Sequence, residues 1–197
     1  MDFSSLIALT ELVITEDRIF NAQLFYGNKR CFQNDLTAKI REYDNTVYGD
    51  FPCRDKCFDI ASFNISSNTL PYVIELRHYT PHQPNTVQTA ITNISSAIQN
   101  VNEFDMRGSI QQLYIIHLFT QVVRVRDDVD FTHYPFTKTV VKTRANIQDS
   151  KPIMNDTTNT LLKTFPGSVS YSYGEVVAND AIMMDIHLFI YQPHLLW

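Results

Sequence analysis

Two cysteines and two histidines in the first half of the chain carry the clearest potential for metal chemistry. They form the pairs Cys53-x3-Cys57 and His78-x3-His82. Thiolates and imidazoles are the usual ligands of a tetrahedral zinc ion, because Zn²⁺ accepts both soft sulfur and borderline nitrogen. With all four positions filled by protein, such a zinc would be structural rather than catalytic.

A predicted hairpin brings these two pairs together. Residues 58–65 and 70–78 have the composition of two strands joined by a short polar turn. A turn centred near residues 67 and 68 places Cys57 opposite His78, and the other cysteine opposite the other histidine. The sequence therefore allows two interpretations of these residues: one structural zinc, or two ordinary buried thiols and two surface histidines with no metal.

An acid–base pair is the second candidate. Asp185 and His187 are two residues apart on a predicted strand and share a face, and His117 lies on another central strand. The strand histidines resemble those of phosphodiesterases with two catalytic histidines, but that family carries Ser or Thr where this chain has Phe119 and Phe189. The resemblance therefore implies no activity here. A small hydrolase is one interpretation, and hydrogen-bonded core histidines are the other.

A basic strand pair is the third candidate. Its four cations would share one sheet face and could contact single-stranded RNA, helped by stacking of aromatic groups in the connection between the strands. They are Arg124, Arg126, Lys142 and Arg144. Three aspartates directly after the first two arginines oppose this interpretation, because they would neutralise the positive charge. A solvated strand face is the alternative.

The most regular helical pattern spans residues 85–104. Its apolar positions recur at intervals of three and four residues, which predicts one long amphipathic helix. These positions are Val87, Ile91, Ile94, Ile98 and Val101. No charge occurs between Gln83 and Asn102. The helix either packs within its own domain or contributes to an interface with another chain, since interface cores are depleted of charge.

The C-terminal tail, residues 193–197, is a second candidate interface. It ends in Leu195, Leu196 and Trp197, the only tryptophan of the chain. Large apolar groups gain nothing by remaining exposed. We therefore expect the tail to fold back on the domain or to dock on a neighbouring subunit.

The helices and strands predicted around these residues indicate an α+β fold. Strand patterns dominate the second half without an evident helical crossover, and consecutive strands joined in that way are antiparallel. The predicted architecture is an antiparallel β-sheet with one long amphipathic helix and smaller N-terminal helices. The predicted strands in the second half cover residues 113–126, 140–147, 169–177 and 182–192.

Composition limits the remaining choices. A length of 197 residues favours a single domain, 1–197, with the short apolar tail. The net charge of −5 disfavours a general nucleic-acid or membrane coat, and 5 glycines are few for a glycine-rich phosphate loop. No apolar run is long enough for a membrane span, and no basic signal region opens the chain. With three cysteines, an odd number, these features predict an intracellular protein of the cytoplasm or nucleus.

The sequence thus favours a non-enzymatic interaction or assembly protein that binds itself or another protein. Low glycine with abundant Asn, Thr and Ile fits a virus-encoded structural or accessory protein. The alternatives are a zinc-stabilised regulator that contacts RNA and a small hydrolase. The expected cofactor is none or one structural zinc, and no small-molecule substrate is identified.

Overall fold

Six strands form one sheet in the computed structural model, which describes residues 3–16, 29–53, 56–79, 87–104, 109–122, 150–165, 169–179 and 182–193. In chain order the strands are β1 (Val47–Cys53), β2 (Lys56–Asn64), β3 (Thr69–Tyr79), β4 (Leu113–Val122), β5 (Val169–Asn179) and β6 (Ile182–Tyr191). Their order across the sheet is β1-β2-β3-β4-β6-β5. The last two strands in the chain therefore exchange places, and β5 lies at an edge.

Four helices cover the two faces of this sheet within the described residues. They are α1 (Phe3–Thr15), α2 (Lys29–Arg41), α3 (Val87–Phe104) and α4 (Ser150–Thr164). The apolar side chains of α1 and α2 pack on one face of the sheet, and those of α3 and α4 pack on the other. Both faces of the central strands are consequently buried, which explains their nearly continuous apolar sequences.

The mixed helix and strand content agrees with the predicted α+β class, but the prediction of a wholly antiparallel sheet is wrong. Strands β3 and β4 run parallel, whereas the other neighbouring strands are antiparallel. The reason is α3, which connects β3 to β4 and returns the chain to the starting end of the sheet, as a parallel pair requires.

The prediction of one dominant helix is not confirmed either. The helices α1 and α2 have 13 residues each, α3 has 18 and α4 has 15. Helix α4 was not predicted, because polar residues, six of them threonine or asparagine, occupy most of its length. The predicted strand at residues 140–147 lies outside the described residues. No helix of the described part of the chain is long and apolar enough to cross a membrane.

Strands β2 and β3 pair only near the turn that joins them. Ile60 pairs with Ile74 and Ala61 with Val73, one residue away from the register that would place Cys57 opposite a histidine. Among the described residues, the pairing of these two strands stops at Ile60 and Ile74, although both strands continue. The sheet therefore opens between β2 and β3 at this end.

Candidate active site

The opening between β2 and β3 arises because each strand follows its other neighbour. Strand β2 stays paired with β1 as far as Lys56, and β3 stays paired with β4 as far as Tyr79. The ring of Tyr79 stacks on Phe119 of β4 at a centroid distance of 4.4 Å. The Asp59 carboxylate partly fills the gap, where its Oδ2 accepts a hydrogen bond of 2.7 Å from the Leu76 backbone N–H.

Four charged side chains line this opening, which we call the β2–β3 cleft: Lys29, Asp59, Glu75 and Arg77. The Asp59 side chain is 13% exposed and that of Glu75 is 8% exposed. Burial is the main cause that raises the pKa of Glu75 to about 7, and the neighbouring Asp59 carboxylate raises it further. Two carboxylates held this close favour a bound proton or a bound cation at neutral pH.

Two basic side chains flank the carboxylates. The Nζ atom of Lys29 lies 2.7 Å from Oδ1 of Asp59, and Nη1 of Arg77 lies 3.8 Å from Oε2 of Glu75. Their side chains are 35% and 37% exposed, respectively. The cleft is therefore acidic inside and basic at its solvent-facing rim.

Helix α2 holds the Lys29 side of the cleft in place. Lys29 is the first residue of α2, and Gln33 lies one turn later. The Gln33 amide Nε2 donates to the Asp59 backbone carbonyl at 2.7 Å and to Oδ1 of Asp50 at 2.8 Å. Gln33 is buried, so its amide needs these partners. The helix is thereby fixed against the strand that carries Asp59.

The chemistry of this donor set fits a small, hard cation. Carboxylate oxygens are preferred ligands of Mg²⁺, which is commonly held by one or two carboxylates and completes its shell with water and substrate oxygens. Among the described residues there is no group of three or more His, Cys, Asp or Glu side chains that could hold a metal ion. A cation in the cleft would therefore have Asp59 and Glu75 as its protein ligands.

The predicted acid–base residues lie on the sheet face that also carries Glu75 and Arg77. They are on strands β4 and β6, beyond β3. His117 pairs directly with His187, so the two imidazoles lie side by side on β4 and β6. Neither residue is exposed, and Asp185 is also fully buried. The structure thus places the three predicted residues on one face, two of them in register.

Tyrosines surround these histidines, and we call His117, His187, Tyr79, Tyr171 and Tyr173 the histidine row. The Tyr79 hydroxyl lies 3.2 Å from Nδ1 of His117, and the Tyr171 hydroxyl lies 2.7 Å from Nδ1 of His187. The Tyr173 ring centroid is 5.1 Å from that of His187. A tyrosine hydroxyl therefore partners Nδ1 of each histidine without charge, while Nε2 of His117 is buried and has no hydrogen-bond partner among the described residues.

Burial is the main cause of the pKa shifts of His117 and Tyr171. Burial, followed by the positive charge of Arg77 and then by His187, keeps the pKa of His117 well below its usual value of 6.5. Burial, with a contribution from Asp185, raises the pKa of Tyr171 to about 12. His117 and Tyr171 are consequently neutral at physiological pH.

Asp185 is held by a tyrosine. The Tyr173 hydroxyl lies 3.0 Å from Oδ1 of Asp185 and 2.9 Å from Oε2 of Glu175. The hydroxyl can donate its one proton to either carboxylate.

The predicted zinc residues that the structure describes lie on three different strands, β1, β2 and β3. Cys53 pairs with Lys56 at the end of the β1–β2 hairpin, Cys57 is exposed and His78 is half-buried. His82 lies outside the described residues. The structural zinc stays a prediction.

The other predicted sites are only partly within the described residues. The basic strand pair, Arg124, Arg126, Lys142 and Arg144, lies outside them, as do Leu195, Leu196 and Trp197. On α3, Ile94, Ile98 and Val101 are buried in the core of this chain, and Ile91 is half-buried. Any interface formed by α3 must therefore use its opposite side.

The residues of the cleft were not singled out from the sequence. Glu75 and Arg77 alternate with apolar residues on β3, which is typical of a half-exposed strand. The informative signal is that two charged residues interrupt a strand whose central positions are otherwise apolar on both faces. Asp59 could not be linked to them, because the parting of the strands is a tertiary feature.

Comparisons with protein-family models, with curated proteins and with solved structures find no match to this chain. The chemistry of the cleft must accordingly be inferred from its own side chains.

Proposed function

We propose that this protein hydrolyses phosphodiester bonds, using a divalent cation held by Asp59 and Glu75. One observation carries the proposal: two carboxylates from diverging strands meet in a cleft whose rim is basic. A buried pair of like charges is costly unless a proton or a cation compensates it. The arrangement therefore favours binding of a compensating cation more than it favours the stability of the folded chain.

Each side chain of the cleft has a distinct role in this proposal. Asp59 and Glu75 supply oxygen ligands from β2 and β3. A divalent cation held there would supply polarisation of a phosphoryl oxygen and a lowered pKa of bound water. Lys29 donates hydrogen bonds to the phosphate oxygens and stabilises the negative charge that develops on them. Arg77, with its planar guanidinium, binds and orients the phosphate group through paired N–H donors.

The basic rim favours a phosphate ester over a neutral ester as substrate. Lys29 and Arg77 present positive charge to solvent, and the neighbouring Arg30 side chain is 76% exposed. This local cluster lies in a chain whose net charge is −5. Phosphate binding would accordingly be local to the cleft, without the broad basic surface of a nucleic-acid coat.

The test is hydrolysis of end-labelled single-stranded DNA, duplex DNA and RNA by the full chain in Mg²⁺ or Mn²⁺, with a chelator as blank. We expect cation-dependent cleavage that falls by at least ~100-fold in Asp59→Asn and in Glu75→Gln. Asp156→Asn is the matched control, because Asp156 is an exposed acid on α4. Its cleavage rate should equal that of the wild type.

Calorimetric titration with Mn²⁺ separates binding from turnover. The wild type and the Asp156→Asn control should bind one ion, and neither cleft variant should bind it with comparable affinity. Circular dichroism establishes that each variant is folded. Equal Mn²⁺ binding by the wild type and by folded Asp59→Asn would overturn the proposal, as would cleavage that survives the chelator.

We propose assembly with another protein, or with a second copy, as a second candidate function. The observation that favours it is the solvent-facing side of α3, which bears no charge before Glu103. Its exposed residues are Gln88, Thr89, Thr92, Ser96, Gln99 and Asn102. Uncharged polar surface of this length is unusual for a solvated helix and is compatible with an interface.

A matched pair of threonines tests the α3 surface. Thr92 on α3 and Thr160 on α4 are both exposed, and each hydroxyl donates to the carbonyl four residues earlier, at 2.8 and 2.9 Å. Thr92→Glu should weaken an assembly seen by native mass spectrometry, whereas Thr160→Glu should not. Equal behaviour of the two variants would exclude this surface.

A further inference from the structure

Strand β2 changes faces at a residue of the β2–β3 cleft. Ile60 packs in the core against α1 and α2, whereas Phe58 packs in the core on the opposite face of the sheet. Side chains two residues apart on a regular strand lie on the same face. The alternation is therefore broken at Asp59, whose carboxylate lies between the two faces and accepts from the backbone of β3.

Strand β1 changes faces at the directly opposite residue. Val47 belongs to the core against α1 and α2, and Phe51, four residues later, packs against the other core. The pairing of Phe51 with Phe58 places Asp50 opposite Asp59. Asp50 has a φ of 49°, in the left-handed region. A non-glycine residue keeps this conformation only when its surroundings hold it, and such residues are frequent at functional sites.

The buried amide of Gln33, on α2, joins the two opposed aspartates. Its Nε2 donates to Oδ1 of Asp50 at 2.8 Å and to the backbone carbonyl of Asp59 at 2.7 Å. Both partner atoms are acceptors, so both N–H groups of the amide are used. The Asp59 carboxylate then accepts from the Leu76 N–H at 2.7 Å and lies 2.7 Å from Nζ of Lys29. The backbone and the side chain of Asp59 are thereby held from different sides.

We infer that Asp50 is a positioning residue of the β2–β3 cleft. Its left-handed backbone turns the β1–β2 hairpin over where β2 leaves β3, and its carboxylate fixes Gln33, which holds Asp59 in the gap. The Asp50 side chain is 54% exposed, so core packing does not account for its conformation. Its effect on cation binding rests on the proposed function, whereas its effect on the position of Asp59 does not.

Two substitutions of Asp50 separate the role of its backbone from that of its carboxylate. Asp50→Gly keeps the left-handed conformation but removes the acceptor of the Gln33 amide. Asp50→Asn keeps both, because asparagine tolerates this conformation and retains a carbonyl oxygen. Asn68→Gly is the matched control, since Asn68 has a φ of 52° in the exposed turn at the closed end of β2 and β3.

Hydrogen exchange of the Leu76 amide, measured in chelator, reports the position of Asp59 without a cation. We expect ~10-fold faster exchange in Asp50→Gly than in the wild type, because the bond from this amide to a charged acceptor is weakened. Asp50→Asn and Asn68→Gly should keep the wild-type rate, and so should the amides of β4 in every variant. Gln33→Met removes both donors and should match Asp50→Gly, which keeps the inference testable if Asp50→Gly does not fold.

Calorimetric titration with Mn²⁺ tests whether the position of Asp59 serves the cation. Asp50→Gly should raise the wild-type Kd ~10-fold, as substitutions beside metal ligands commonly do, and Asp50→Asn should not. Equal Leu76 exchange in Asp50→Gly, Gln33→Met and Asn68→Gly would overturn the inference, even in a chain that binds Mn²⁺. An unchanged Kd beside faster exchange would also overturn it. Faster Leu76 exchange in a chain that binds no Mn²⁺ would support the positioning of Asp59 and overturn the proposed function instead.

Discussion

The β2–β3 cleft and the histidine row share one sheet but solve the problem of buried polar groups in opposite ways. In the row, imidazoles and phenols pair with one another, so hydrogen bonds are made without net charge. In the cleft, Asp59 and Glu75 carry like charges into a buried position. Lys29 and Arg77 compensate these charges only from the rim, and Nη1 of Arg77 lies 3.8 Å from Oε2 of Glu75.

The difference separates a structural cluster from a candidate reactive one. A buried polar network that is largely satisfied adds rigidity to a core, whereas a strained set of charges lowers stability. Groups whose pKa values are shifted by burial and by a specific neighbour are typical of functional sites. The pKa of His117 is shifted as well, and both groups move toward their neutral forms; the difference is that Glu75 lies beside a second carboxylate, whereas His117 lies beside the Tyr79 hydroxyl.

The row also helps to build the cleft. Asn93 of α3 donates to the Tyr79 hydroxyl at 2.9 Å, and that hydroxyl contacts His117. Stacking on Phe119 adds a second attachment of Tyr79 to β4. Because these contacts hold the end of β3 to β4, β3 cannot follow β2, and the cleft stays open. The inert region therefore positions the charged one.

The largest expected effect on stability is the pH dependence caused by Glu75. Its pKa rises from 4.5 to about 7 in the folded chain, so the native state keeps a proton that the unfolded state has lost. The free energy of unfolding should therefore fall as pH rises from 4.5 to about 7, by up to about 3 kcal/mol. Urea unfolding of wild type and Glu75→Gln in chelator, at several pH values, measures the difference.

The variant has no carboxyl group to ionise, so its stability should lack this fall and should exceed that of the wild type at pH 8. Glu103→Gln, on an exposed acid of α3, is the control and should follow the wild-type curve. Parallel curves for wild type and Glu75→Gln would mean that neither burial nor Asp59 raises the pKa of Glu75 in the folded chain, and the contrast with the histidine row would disappear.

A smaller effect is expected when the row loses one hydroxyl. Tyr171→Phe removes the partner of Nδ1 of His187, a fully buried residue. A buried polar atom left without its partner costs about 1–3 kcal/mol. Urea unfolding should show this loss, with Mn²⁺ affinity unchanged. The exposed Tyr43 provides the control, because Tyr43→Phe should be neutral. A loss of Mn²⁺ affinity in Tyr171→Phe would show that the two regions are coupled.

Local patterns were sufficient to predict much of the secondary structure. The repeat of Ile94, Ile98 and Val101 correctly indicates a buried helix stripe, and the apolar stretches around His117 and His187 indicate central strands. The parallel pairing of β3 with β4 was missed, since strand direction depends on where a crossover helix packs. Helix α4 was missed because, among its described side chains, the apolar ones buried in the core are Met154 and Leu161.

The candidate site shows the limit of sequence patterns more clearly. The two histidines could be grouped because their segments, Ile116–Phe119 and Ile186–Phe189, have the same residue pattern. Asp59 and Glu75 have no such pattern. They meet because β2 and β3 separate, and that separation depends on contacts of each strand with its other neighbour. The spacing of residues along a chain does not encode such a divergence.

The smallest expected effect is stabilisation by the cation itself. A ligand that binds only the native state stabilises it by RT ln(1 + [L]/Kd), which is about 1.4 kcal/mol at ten times Kd. At pH 8, Mg²⁺ should raise the melting temperature of the wild type by relieving the repulsion between Asp59 and Glu75. The rise should be smaller at pH 5, where Glu75 is protonated and the cation must displace its proton. Glu75→Gln should show little rise at either pH, while Tyr171→Phe should show the full rise from a lower starting temperature. An equal rise in wild type and Glu75→Gln would place the cation elsewhere, and the cleft would then be a structural cluster like the histidine row.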